Sequence, residues 1–433
     1  MVKLKEHKHP TENKPIEAIP LPFRVYIPLS QHLGRSCLPL VKIGEAVKRG
    51  QKIASAEAHV FSPIHASISG KVASIQDWPH PVLGRAKAIV IESDGLDRAY
   101  ELANLRTQVE INSLTPDQIR NIIFEAGIVG MGGAGFPTHI KLNPPKPVNT
   151  LIINGAECEP FLTGDYRLMI EKTDEILLGI ELVVKCLGVS KVYVAIEDNK
   201  PQAIAVFKNA IPCLPVGRRN TQYAIRVLKS FYPQGGEKQL IKNILKREVP
   251  SGKLPFDIGV VVHNVATIYA VYEAVYLNKP LYERVVTVTG SCLSNPKNLL
   301  VRIGAPIKEL IDFCGPLKNE PAKIIIGGPM MGIAQYTLDV PVIKSTTGVI
   351  LLNEEEAKIQ QEGLCIRCGA CVRECPAGLM PCLINLASEK EMWTQAKRYR
   401  ALDCIECGLC DYVCPANRRL TQSIKRAKLE VVG

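Results

Sequence analysis

The chain has 433 residues, 46% of them apolar, with 53 Lys and Arg against 42 Asp and Glu for a formal charge of +11. That length allows roughly two to four domains, and the composition excludes a disordered or collagen-like chain. No run of about 18 apolar residues suggests a membrane-spanning helix, and the charged opening MVKLKEHKHP reads as no secretory leader, so a cytoplasmic location is expected.

Residues 1–22 are charged and punctuated by prolines without periodicity, which predicts an extended arm lying on a neighbouring surface. From 23 to 112, short β runs broken by glycine (RVYIPL, IGEAVKRGQKIA, SPIHASISGKVASIQ, KAIVIES) predict a small all-β barrel. The stretch around Gly44, Gly50 and residues 62–72 resembles the barrel-sandwich domain of lipoyl and biotin carriers. Those carriers need a lysine at the tip of the central hairpin, where Glu57, Ala58 and His59 stand, so docking or packing is expected rather than carrying.

From Thr115 helices and strands alternate: helix 116–127, strand 149–153, helix 168–187, strand 191–196, helix 201–210, strand 224–228, helix 238–247, strand 257–262 and helix 266–277. This predicts an α/β layered domain over 113–279. Residues 280–345, with VVTVTG, NLLVRI, a helix over PIKELIDFCG and KIIIGG, read as a small β-grasp (SLBB-like) unit.

The last segment, 346–433, carries the most specific signal. Cys365, Cys368, Cys371 and Cys375 are followed by Pro376, and Cys404, Cys407, Cys410 and Cys414 by Pro415, both reading C-x2-C-x2-C-x3-C-P. In bacterial ferredoxins this spacing lets three thiolates of a tight loop hold one 4Fe-4S cluster while the fourth ligates the other. The prediction is crossed ligation: Cys365, Cys368, Cys371 and Cys414 on cluster 1, and Cys404, Cys407, Cys410 and Cys375 on cluster 2. Zinc would use separated pairs, and disulfides would need an oxidising compartment. Between the motifs, 380–400 reads as helix, giving a helical ferredoxin-like module. Cys37, Cys158, Cys186, Cys213, Cys292, Cys314 and Cys382 are scattered, as small buried residues are. Lys397, Arg398, Arg400, Arg418, Arg419, Lys425, Arg426 and Lys428 point to an acidic partner or anionic membrane as readily as to a solvated helix face. No stacking aromatics are interleaved with them, so nucleic acid is not expected.

Gly130, Gly132 and Gly135 satisfy G-x-G-x-x-G, but a helix-like run precedes them and Pro137 follows, which argues against a Rossmann turn. Glycines there still let backbone N–H groups approach a phosphate or flat ring. GMGGAGFPT at 130–138, followed by Lys141, resembles the FMN loop of the flavin and NADH-binding subunit of respiratory complex I. NGAECEP (154–160), QGGE (234–237) and VHNVAT (262–267) resemble that family's later motifs, in its order. The whole-chain order of barrel, flavin domain, β-grasp unit and cluster module is similar to the RnfC family of the Rnf electron-transport complex.

The resemblance implies a peripheral, cytoplasmic-side subunit of a membrane-bound complex that exchanges electrons between ferredoxin, reached through a partner subunit, and NAD(H), coupled to ion translocation by other subunits. It implies FMN, with Gly130, Gly132, Gly133 and Gly135 admitting the flavin, Lys141 complementing phosphate, Asn154 and Asn264 bonding polar edges, and Gly235, Gly236, His263 and Thr267 in the same motifs. Glu157 and Glu237 would line the nicotinamide side as catalytic carboxylates, Glu159 would contact ribose or amide, and Phe136 would stack on adenine. On spacing alone, these are equally turn, surface or core residues. Met131 replaces an arginine common in the complex I family, and Ala156 an aspartate, which removes two polar contacts. Because NAD moves two electrons as hydride and a cubane cluster one, a flavin is the natural junction. The same modules would also suit a soluble flavin and iron-sulfur reductase, such as a corrinoid reductase, or a scaffold with a vestigial pocket.

Overall fold

A computed structural model describes residues 2–100, 105–213, 221–358 and 360–432, with the side chain of Cys213 outside the described residues. The neighbouring surface expected under the N-terminal arm is the chain's own. Ile16–Ala18 forms a strand parallel to Lys297–Arg302 at one edge of the β-grasp sheet. Lys8 is buried, and its Nζ donates to the carbonyls of Glu157 (2.8 Å), Glu159 (3.0 Å) and Leu162 (2.5 Å). A buried ammonium is tolerated there because its three donors each meet an acceptor.

The barrel is two antiparallel sheets. Arg24–Pro28, Gly84–Ser93, Gly70–His80 and Ala46–Val47 make one, and Leu38–Pro39, Lys52–Ser55 and Ile64–His65 the other. Val25, Ile27, Ile53, Ile89 and Ile91 alternate inward and fill the space between them.

The central domain has a parallel sheet ordered Gln222–Leu228, Lys191–Glu197, Thr150–Gly155, Val260–Asn264. The apolar runs of Lys191–Glu197, Thr150–Gly155 and Val260–Asn264 are largely buried, as strands of a covered parallel sheet are, while the edge strand Gln222–Leu228 is partly exposed. Leu151 and Ile153 pack toward helices Thr173–Leu187 and Val265–Tyr276, while Ile152 and Val262 pack toward helix Glu237–Leu245. The expected single helix 168–187 is two, Gly164–Glu171 and Thr173–Leu187, because Lys172 leaves helical geometry at φ −132° and ψ 35°.

The β-grasp sheet has six strands, with Gly348–Leu352, beyond the expected boundary, between Glu283–Thr289 and Lys323–Ile326. Three domains meet at Tyr282, whose ring lies under Arg49 (5.6 Å), Lys279 (5.5 Å) and Arg302 (5.1 Å). Asp97 and Glu283 balance those cations. In the cluster module the expected helix 380–400 is also two, Pro381–Glu389 and Trp393–Arg398, reversed at Glu391, whose φ is +54°. Much of the basic surface is neutralised locally: Lys425 and Lys428 pair with Glu406, Arg426 with Glu391, and Arg418 with Glu362.

Candidate functional site

Asn154 and Asn264 end adjacent parallel strands in register with one another. Beyond those carboxyl ends, where open α/β sheets bind ligands, lies a cleft of about 510 Å³, within the usual range for small-molecule sites. The four motifs converge there. Its wall carries the four loop glycines with Phe136, Lys141, Asn154, Glu157, Glu159, Gly235, Gly236, Glu237, His263, Asn264 and Thr267.

The glycine loop is closed by the Gly130 N–H donating to Phe136 O (2.9 Å) and anchored by the Met131 N–H donating to Thr267 Oγ1 (2.9 Å). A Cβ on Gly132 would stand 2.6 Å from Asn264 Nδ2, whereas one on Gly133 would meet nothing within 4 Å. One glycine thus serves close packing and the other leaves open room. The barrel braces this loop, its Leu33 N–H donating to Gly135 O at 3.2 Å, which is a packing role of the kind expected.

Several motif side chains are committed to the protein. Asn154 Nδ2 donates to Gly235 O (2.9 Å), fastening the second motif to the third. Asn264 Oδ1 caps helix Val265–Tyr276 by accepting from the Ala266 N–H (2.8 Å). Lys141 and Glu237 form an ion pair (2.6 Å), so the lysine reaches any phosphate only in concert with that carboxylate. Glu157 accepts the N–H groups of Asp165 (2.7 Å) and Tyr166 (3.2 Å) at the start of a helix. Glu159 accepts from the N–H groups of Met330 (3.1 Å) and Met331 (3.0 Å), holding the β-grasp unit, and burial pushes its pKa up to about 7.

Three wall residues gave no sequence signal. Arg284 alternates inward from a β-grasp strand, fully buried, and donates to Met131 O at 3.3 Å. It brings a cation to the loop where Met131 lacks one, and burial lowers its pKa to about 10. Asp165 follows the second motif, outside the residues that carry the resemblance. Tyr232 lies just before the third motif, and its hydroxyl donates to Cys407 O at 2.8 Å. On the wall, His263 Nε2 and Thr138 Oγ1 are buried without a partner among the described residues. Burial keeps His263 neutral. Unpaired buried polar atoms beside open glycine backbone fit a polar, flat ligand such as FMN.

The two cysteine motifs fold as one repeated turn. Arg367 and Glu406 both have φ +57°, Gly369 and Gly408 have +73° and +75°, and Gly378 and Asn417 have +62° and +50°. Cys404, Cys407, Cys410 and Cys375 line one small, otherwise mainly apolar cavity, the predicted crossed set. The Leu379 and Glu406 N–H groups donate to the sulfurs of Cys375 and Cys404, each at 3.4 Å. Such donors tune and orient cluster thiolates. For the other set, Cys414 is close enough to act electrostatically on Cys371. The segment leading to Cys365 and Cys368 is tied to the chain after Cys414, the Gly363 N–H donating to Ala416 O at 2.9 Å. Cys365 and Cys368 are exposed.

The flavin-type cleft and the cavity of the second set share a wall, since Ile405 lines both. A Cβ on Gly236 would lie 3.6 Å from Ile405 Cδ1. Leu4 of the arm, Tyr232 and Cys407 pack in one buried cluster at the same junction.

Family models match the chain as the RnfC barrel sandwich hybrid domain (residues 2–96), the Nuo51 FMN-binding domain (123–273), the SLBB domain (285–334) and the 4Fe-4S dicluster domain (357–415). The C subunit of the proton-translocating ferredoxin:NAD(+) oxidoreductase complex of Clostridium ljungdahlii is 48% identical, over 98% of this chain and 92% of that one. Its counterpart in the Na(+)-translocating ferredoxin:NAD(+) oxidoreductase complex of Acetobacterium woodii is 44% identical, over 98% of this chain and 95% of that one. Among solved structures, an NAD+-reducing [NiFe]-hydrogenase in the H2-reduced state aligns with TM-score 0.52 and 18% identity, covering 73% of this chain and 61% of the other, a likeness of fold.

Proposed function

The chain belongs to the RnfC family, the C subunits of ion-translocating ferredoxin:NAD(+) oxidoreductase complexes, and from that premise we propose how its parts divide the work. It is an electron-transfer subunit of an oxidoreductase, with FMN and two 4Fe-4S clusters as cofactors, NAD(H) as substrate and other subunits as partners. Bound in the cleft, FMN supplies the conversion between two-electron and one-electron transfer.

The chain's own residues prepare that cleft. The open backbone at Gly133 and the unpaired His263 and Thr138 atoms receive the cofactor, Arg284 and Lys141 set positive charge along its wall, and Phe136, 37% exposed, offers a ring at the mouth for stacking. Cluster 2, of Cys404, Cys407, Cys410 and Cys375, is then the carrier next to the flavin. The shared Ile405 wall carries this reading. Cluster 1, on the loop where Leu364 is 87% and Ile366 67% exposed, faces the partner subunit. Among the described residues no helix is long and apolar enough to cross a membrane. A cytoplasmic face for this subunit is supported by its NAD(H) chemistry and by the scattered cysteines, free among the described residues.

Acid extraction of anaerobically purified protein is expected to release one FMN per chain, with iron analysis giving eight irons, four for each cluster. Protein lacking flavin but retaining iron would instead indicate a scaffold with an empty pocket.

A further inference from the structure

We propose that Asp165, rather than Glu157, is the carboxyl that exchanges a proton with the reacting groups in the cleft, a proposal that rests on the FMN and NAD(H) reading of the same site. The two acids lie side by side at the start of helix Gly164–Glu171. Both oxygens of Glu157 accept backbone N–H groups, from Asp165 at 2.7 Å and Tyr166 at 3.2 Å, so that side chain is a helix cap. Asp165 is bonded on one side only: Oδ2 accepts from Asn264 Nδ2 at 2.6 Å, and Oδ1 accepts no hydrogen bond among the described residues. Asp165 lines the cleft, and Asn264, which orients it, packs against Gly132 of the glycine loop.

The charges around Asp165 suit a group that gains and loses a proton. Burial and the neighbouring Glu157 favour its neutral form, while Asn264, Arg284 and Lys200 favour the carboxylate, and the balance pushes its pKa up to about 7. Neighbouring carboxyls in environments that separate their behaviour commonly divide acid and base roles. A hydride brings two electrons and one negative charge into the cleft. The proton leaving Asp165 Oδ1 is taken up by the group that has accepted the hydride and neutralises that charge, the nearby charges of Arg284 and Lys200 favour the new carboxylate, and water at the cleft mouth returns a proton to it. In the direction of NAD+ reduction the carboxylate takes up the proton.

The test is Asp165→Asn in the full chain, purified anaerobically with FMN and compared with Glu157→Gln and Asp165→Glu. Expected for Asp165→Asn are unchanged FMN content, flavin bleaching by NADH slowed about a hundredfold, and loss of the break near pH 7 in the plot of flavin midpoint potential against pH. Asp165→Glu should restore the break, and Glu157→Gln should keep a break but move it to lower pH, since the Glu157 charge helps to raise the Asp165 pKa. Stability of flavin-stripped protein gives a readout independent of turnover. With its folded pKa raised from 3.8 to about 7, Asp165 costs nothing well below pH 4, and its cost grows as pH rises to about 7. Wild type should therefore lose stability relative to Asp165→Asn across that window. Bleaching at the wild-type rate with the break intact would overturn the proposal. So would an Asn variant that cannot fold, since the amide mimics the neutral acid. A wild-type protein without FMN would instead refute the underlying cofactor reading.

Discussion

Cys375→Ala is expected to destroy the cluster of Cys404, Cys407 and Cys410, not the cluster of its own motif. Cys375, Cys404, Cys407 and Cys410 line one cavity, the 28 residues between the motifs folding back to bring Cys375 beside the second loop. Iron should fall from eight to four per chain, with FMN retained and still bleached by NADH, because Ile405 is the one residue of the two cysteine motifs that lines the flavin cleft. Electrons arriving at the flavin would then lack the adjacent carrier, and reduction of cluster 1 should slow by orders of magnitude. Low-temperature EPR distinguishes the assignments. Cys375→Ala and Cys407→Ala should leave the same residual signal, and Cys368→Ala a different one. A residual signal shared by Cys375→Ala and Cys368→Ala would show uncrossed ligation.

Gly132→Ala is expected to empty the cleft of flavin. The added methyl would lie 2.6 to 2.9 Å from Nδ2, Cγ and Cβ of Asn264. Cβ is fixed to the backbone, so the asparagine cannot simply swing its tip away. Displacing it breaks the cap on helix Val265–Tyr276 and the bond to Asp165, with the cap alone worth about 1 kcal/mol. The alternative is a shift of the loop, which would break the Met131 bond to Thr267. Either movement disturbs the surface presented to the cofactor, and FMN affinity should fall at least about tenfold, read by fluorescence on reconstitution of the flavin-stripped protein. Gly133→Ala, whose methyl would meet no protein atom within 4 Å, separates packing from ligand contact. It should leave stability unchanged while weakening FMN binding.

The order of domains and the candidate cluster ligands were legible because both rest on local rules. Glycine-broken β runs, alternating helix and strand, and a cysteine spacing with one chemical meaning each announce themselves over short stretches. What escaped was contributed from a distance. Ile16–Ala18 has no strand signature of its own and becomes a strand because Lys297–Arg302 offers it an edge. Lys8 reads as one charge among many in a polar arm, yet it satisfies three carbonyls in and just after the second motif. Arg284 sits in an alternating strand where a charged residue suggests solvent, and the strand buries it against the glycine loop. Glu157 matches a motif position, but residue identity alone cannot say that a helix N-terminus would occupy both of its oxygens.

The central claim is that electrons pass between the clusters and NAD(H) through the flavin within this one chain. It is tested most directly by running the path backward. Flavin and both clusters of the anaerobic protein are photoreduced, NAD+ is added, and cluster EPR and NADH absorbance are followed together. Both cluster signals should decay as NADH appears in wild type, while in Cys375→Ala the signal of cluster 1 should persist. A flavin that reoxidises and forms NADH while the wild-type cluster signals remain undiminished would contradict the account.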